Sequence, residues 1–311
     1  MVRLGALGDI IHTLPAAASL KRGIPGAHLT WIVEPRWAPL LEGNPFIDRV
    51  VFLRRGSLGG LIESWRALRS RTFDLAVDFQ GLLKSALAAR AARPGRIFGF
   101  DSSQVRERAA ALFYSHQTLS QSAHVVDRNL DLAAAAGATS ALRVFPLPEG
   151  RAEGELPAGD FVLASPLAGW RSKQWPLEHY RALAARLRAE LGIPLVLNGP
   201  PGSGLPQTEG ALAHFSGLSG LIHATRRTAA VLGVDSGPLH IAAALSRPGV
   251  ALFGPTDPAR NGPYGASLKV LRSPAAATTY KRGDAIDESM RRISPGQVFE
   301  ALKTVLGGCL V

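Results

Sequence analysis

Short apolar runs recur along the chain, each closed by glycine, proline or charge, with stretches of helical spacing between them. In the first half "HLTWIVEP", "DRVVFL", "FDLAVDF" and "RIFGF" predict strands. Runs this short, rich in β-branched and aromatic residues, suit strands covered on both faces. Residues 9–22, residues 61–71 and the run "LLKSALAARAA" predict helices between them. A second series follows: "FVLASP", a helix over 177–191, "PLVLNG", a helix over 218–226, "AVLGVD", a helix after Gly237, then "GVALFG". Strands alternating with helices predict parallel sheets, because parallel neighbours need a crossover. Residues 145–160, "FPLPEGRAEGELPAGD", have the composition of a linker and put a boundary near residue 155. The expected organisation is therefore 1–154, 155–293 and a C-terminal helix within 294–311. In that helix Ser294–Pro295 suits an N-cap and a first-turn proline.

Composition narrows the classes. A chain of 311 residues exceeds a typical single core, so two domains are expected. No apolar stretch approaches the roughly 20 residues of a membrane span. Gly8 and Asp9 interrupt the place where a charged-then-apolar leader would stand, so a cytoplasmic protein is expected. The single cysteine, Cys309, excludes an internal disulfide framework and a cysteine-based zinc cage, and reads as a terminal residue of no consequence. Lys plus Arg number 35 against 24 Asp plus Glu, a net charge of +11. Such an excess suits nucleic acid, an acidic membrane surface or phosphorylated substrates, and equally a merely soluble surface.

Four segments can carry chemistry. In "RLGALGDIIHTLPA", Asp9 stands where a first strand passes into a helix. It reads either as a cap on the helix dipole or as a base at a strand's carboxyl end. His12 lies on the same helix face and is either a core or surface histidine or a contact in the same cleft. In "AVLGVDSGPLHIAAAL", Asp235 ends a strand and Ser236, Gly237 and Pro238 open a helix. Its free amides and dipole suit a diphosphate, with His240 as a further donor. In "SPLAGWRSKQWPLEHY", Lys173 is a mobile point charge, either solvated or able to neutralise a leaving phosphate. The loop "FGPTDPARNGPYG" offers Thr256, Asp257 and Arg260 to a nucleotide or sugar, or is simply structural. Arg54, Arg55 and Lys84 each follow a strand's carboxyl end and can hold an acidic acceptor, with Arg106 and Arg108 nearby in sequence. No acidic cluster has metal-ligand spacing, so no metal and no cofactor are expected.

"ALGDIIHTLPA", "DFQGLLKSA", "SKQWP", "VDSGPLH" and "FGPTDP", in this order from Met1 to about Leu306, resemble the lipopolysaccharide heptosyltransferases of glycosyltransferase family nine. "GDIIHTLPA" with "QGLLKSA" and "GPTDP" inclines the resemblance to the branch that adds heptose to Kdo-lipid A. It implies an α/β fold of GT-B type, two Rossmann-like domains with parallel sheets facing across a cleft, the C-terminal helix packing back on the N-terminal domain. It also implies an inverting, metal-independent transferase of lipopolysaccharide inner-core biosynthesis, at the inner face of the inner membrane. ADP-heptose would be its donor and anionic Kdo-lipid A its acceptor, with no nucleic acid and no stable protein partner.

By position in the motifs, Asp9 matches the catalytic base and Lys173 the lysine on the donor phosphate. Asp235, Ser236, Gly237, His240 and Thr256 fall in the donor half; Arg54, Arg55, Lys84 and His12 fall in the acceptor half. The chain departs from the family pattern in three places. Its first strand is short. Gly199–Pro200–Pro201–Gly202–Ser203 lacks the acidic residue often placed on the donor ribose. Leu167, Ala168 and Gly169 replace the hydroxyl side chains common before "SKQWP". Alternatives are a family-nine transferase with another sugar or acceptor and a non-catalytic nucleotide- or nucleic-acid-binding protein. Aromatics, 7% of the chain, are not interleaved with the basic stretches, which argues against a single-strand-binding surface.

Overall fold

A computed structural model describes residues 1–279 and 281–307, and the chain divides into two compact units, Met1–Pro148 and Glu149–Val311. Cys309 lies outside the described residues. The first unit runs α1 (Leu7–Ile11), α2 (Leu14–Gly23), β1 (Thr30–Val33), β2 (Arg49–Phe52), α3 (Leu58–Arg69), β3 (Leu75–Asp78), α4 (Leu83–Ala91), β4 (Arg96–Phe100), β5 (His116–Thr118) and α5 (Val125–Ala135). Val2 bridges in parallel to Ile32 of β1 and to Asp78 of β3. It thereby joins the pair β1–β2 to the trio β3–β4–β5, all parallel. The chain thus begins in the middle, winds outward to one side and then to the other. The helix expected over 9–22 is two helices. Pro15 enters the first turn of α2, where it lacks an N–H and would clash with the carbonyl four residues back.

The second unit runs β6 (Val162–Ser165), α6 (Leu177–Arg186), β7 (Leu195–Gly199), β8 (Ala211–Phe215), α7 (Leu218–Arg227), β9 (Ala230–Val234), α8 (Gly237–Ala244), β10 (Gly249–Phe253), α9 (Pro258–Asn261), β11 (Leu268–Arg272), α10 (Glu288–Arg291) and α11 (Pro295–Gly307). Its six strands stand in the order β11-β10-β9-β6-β7-β8, all parallel, again wound outward from the first. The central strands β6, β7, β9 and β10 are buried at every position. After α6 the predicted helix keeps its length but finishes in a π-helical turn, Leu187–Leu191, stopped by Gly192 at φ 68°.

Residues 149–154 belong to the second unit because they cap α7. The Glu153 carboxylate accepts from the amides of Gly217 at 2.6 Å and Gly220 at 3.1 Å. Val298, Phe299, Leu302 and Leu306 of α11 lie in one core with Tyr180 and Leu183 of α6 and Val250 and Leu252 of β10. Their helical spacing makes one apolar stripe, and that stripe covers the second unit's own sheet. Phe299→Ala is expected to remove about 3–5 kcal/mol from this unit. Urea unfolding followed by circular dichroism would show it; an unmoved midpoint would place α11 outside that core.

Candidate functional site

In the second unit, three neighbouring strands bring one cluster together at their carboxyl ends. Asp235 follows β9 directly, Thr256 lies in the loop after β10, and Lys173 ends the turn Arg171–Lys173 after β6. Lys173 Nζ donates to Asp235 Oδ2 at 2.6 Å, and the Thr256 hydroxyl donates to the same oxygen at 2.7 Å. His240 Nε2 stands 4.0 Å from Asp235 Oδ1. The strands β6 and β9 are where the winding reverses, the crevice in which open α/β sheets bind ligands. Lys173 Nζ also lies 4.4 Å above the Trp170 ring, and Arg282 Cζ lies 5.8 Å from that ring's centroid. Ser236 is the N-cap of α8, yet its hydroxyl does not cap the helix. That hydroxyl is buried with no hydrogen-bond partner among the described residues. A lysine already oriented by two neighbours, an uncommitted hydroxyl and a helix N-terminus form a corner suited to an anion.

In the first unit the same rule places Asp9, which follows the Val2 segment at its reversal. Arg3, itself buried, reaches Asp9 Oδ1 at 2.8 Å and donates also to the carbonyl of Phe79 beyond β3. The Ala6 amide donates to Asp9 Oδ2 at 3.2 Å. Burial pushes the Asp9 carboxyl up, but the charges of Arg3 and Arg106 and the two hydrogen bonds outweigh it. The net shift is below the ordinary value of 3.8. Its side chain is 26% exposed, so an incoming hydroxyl can reach it.

A second cluster forms around Glu34, the residue after β1. Arg55 donates to Oε1, Lys84 Nζ lies 3.6 Å from the same oxygen, and Arg36 lies 2.9 Å from Oε2. Burial pushes this carboxyl up too, and Arg55, Lys84 and Arg36 bring it below its usual range. Three cations on one carboxylate leave surplus positive charge for an anionic group.

Of the expected acceptor residues, Arg55 and Lys84 meet; Arg54 and His12 do not join them. Arg54 turns to Glu63 of α3 at 3.5 Å and lies over Phe52, as alternation along an extended chain requires of adjacent residues. His12 is buried, its ring edge-on to His124 and its carbonyl bonded to Asn129. Arg3 and Glu34 were not anticipated. Glu34 had a signal: an acid directly after an apolar strand, the position that Asp235 also occupies.

The sequence profile of glycosyltransferase family 9 (heptosyltransferase) matches residues 61–288. Lipopolysaccharide heptosyltransferase 1 of Pseudomonas aeruginosa is 32% identical over 88% of this chain and 83% of its own length. Among solved structures, the Escherichia coli heptosyltransferase WaaC with ADP is 25% identical with a TM-score of 0.78, covering 97% of this chain and 98% of that one. The same enzyme with ADP-2-deoxy-2-fluoro heptose is 26% identical at a TM-score of 0.75, with the same coverage. The α/β architecture of GT-B type, built on parallel sheets, agrees with these neighbours. The chain belongs to glycosyltransferase family 9, the heptosyltransferases.

Proposed function

We propose that this chain is an inverting, metal-independent transferase that moves L-glycero-D-manno-heptose from ADP-heptose to a Kdo residue of Kdo-lipid A. The step belongs to lipopolysaccharide inner-core synthesis and takes place at the inner face of the inner membrane. What supports this reading most is the gathering of Lys173 and Thr256 on Asp235 beside the start of α8. The ADP and the ADP-heptose analogue in the WaaC structures support the donor.

The acceptor oxygen attacks the anomeric carbon as the carbon–oxygen bond to the diphosphate breaks. ADP leaves with that electron pair, and the hydroxyl proton passes to Asp9. A single displacement inverts the configuration. Lys173, the amides around Ser236–Gly237 and His240 stabilise the charge growing on the diphosphate. That charge is met by side chains and helix amides, so no divalent ion is required. Arg55 and Lys84, with Arg54 near them in sequence, hold the anionic acceptor. His12, the buried residue that ends α1, keeps a supporting place in the acceptor half.

Assays of nucleotide release with ADP-heptose, ADP-glucose, GDP-sugars and UDP-sugars test the reading. ADP-heptose with Kdo-lipid A is expected to turn over, to give the inverted anomer by NMR and to be insensitive to EDTA. Turnover on a GDP- or UDP-sugar with none on ADP-heptose would overturn the donor, and loss of rate in EDTA would overturn metal independence.

A further inference from the structure

On α3, Leu58, Leu61, Ile62 and Trp65 fall at the i, i+3, i+4, i+7 spacing of one helix face. A surface helix normally turns such a stripe inward. Here it faces solvent, the four residues being 81%, 42%, 50% and 46% exposed. The residues that α3 buries are others, Ser64 and Leu68. The stripe borders a groove of about 570 Å³ between α3 and α4, whose far wall adds Leu87.

Positive charge surrounds this apolar face. Arg66 and Arg69 lie on α3, and Arg69 covers the Trp65 ring with its guanidinium 4.1 Å from the centroid. Arg55 and Lys84 line the groove. The one acid on α3, Glu63, is paired with Arg54.

We propose that α3 docks this protein on the surface of an anionic lipid bilayer. An exposed apolar stripe with a tryptophan and flanking arginines is the pattern of a helix lying in the headgroup boundary. The stripe enters the acyl edge while Arg66 and Arg69 meet anionic headgroups. Charge complementarity favours a bilayer over a second copy of this chain, because self-pairing would set these arginines against one another. Since Arg55 and Lys84 also hold Glu34, docking brings that cation cluster to the lipid–water boundary. The surface gives the membrane association proposed above a place on the fold, yet it stands without the heptose reading.

Sedimentation of the full chain with vesicles tests it directly. Binding is expected to vesicles of phosphatidylethanolamine with phosphatidylglycerol, not to phosphatidylcholine alone, and to weaken with salt. Ile62→Asp with Trp65→Asp is expected to weaken binding at least about tenfold at an unchanged thermal midpoint. Arg66→Glu with Arg69→Glu should remove the preference for anionic lipid. As a second readout, brominated lipid should quench wild-type tryptophan fluorescence more than that of Trp65→Phe. Wild-type failure to bind, variants that bind like wild type, or an effect on self-association alone would each overturn the proposal. Vesicle binding needs no sugar donor, so its outcome is separable from that of the transfer assay.

Discussion

Asp9→Asn is expected to lower kcat by about 10²- to 10⁴-fold while leaving the KM for the donor nearly unchanged. The carboxylate is held from both oxygens, by Arg3 at 2.8 Å and by the Ala6 amide at 3.2 Å. Each oxygen keeps a further lone pair for an acceptor hydroxyl. Burial raises its proton affinity, but Arg3, Arg106 and the Ala6 amide lower it more. Asp9 is therefore ionised throughout the neutral range, and a weaker base than an ordinary aspartate. That suits late proton transfer, because a hydroxyl turns strongly acidic as its oxygen bonds to the anomeric carbon. The pH profile carries the signature. With a folded value below 3.8, the acidic fall in rate should lie below the usual aspartate range, and Arg3→Gln should move it upward. The sign for stability agrees. A lowered folded value contributes stability above the unfolded value and loses it as pH falls through the folded one. Initial-rate kinetics settle the role: turnover within a few-fold of wild type at unchanged folding would remove Asp9 from the chemistry.

Lys173→Met should lower kcat by about 10²- to 10³-fold, the usual effect of removing one donor from a developing anion. Its ammonium is already oriented, 2.6 Å from Asp235 and over Trp170, so little reorganisation is needed when charge moves to the leaving diphosphate. The same substitution leaves the buried Asp235 carboxylate with Thr256 as its hydroxyl donor. Breaking a buried pair from one side costs up to about 3–5 kcal/mol. Adding Asp235→Asn should recover much of that stability without restoring turnover, which separates the fold from the reaction. ADP affinity by calorimetry should fall in both variants. A single variant with wild-type kcat and weakened stability would leave Lys173 a purely structural part of the ion pair.

Legibility in the sequence followed burial. The central strands β6, β7, β9 and β10 are covered on both faces, so each reads as a mostly apolar run. The strands not anticipated, β5, β8 and β11, all stand at sheet edges, where half-exposed positions take charge and polarity. Helix α5 was not anticipated either. Asn129 interrupts its buried face and donates to the carbonyl of His12 and to the Thr13 hydroxyl, so a polar side chain occupies an apolar register.

Among candidate site residues, Asp9, Lys173, Asp235 and Thr256 were legible because they follow strands, and parallel strands point their carboxyl ends one way. Arg3 was not, since a lone arginine between Val2 and Leu4 reads as an ordinary strand residue until its partners are known.

The identity of the buried strands, their parallel pairing and the loops that follow them were already written in local hydrophobic periodicity, a property of neighbouring residues. Partnership was not. Lys173 meets Asp235 because β9 lies beside β6 although 62 residues separate the two side chains, and Arg55 rather than Arg54 meets Glu34 because adjacent side chains point to opposite sides. Ion pairs depend on strand order and side-chain direction in space, and neither is a local property of the chain.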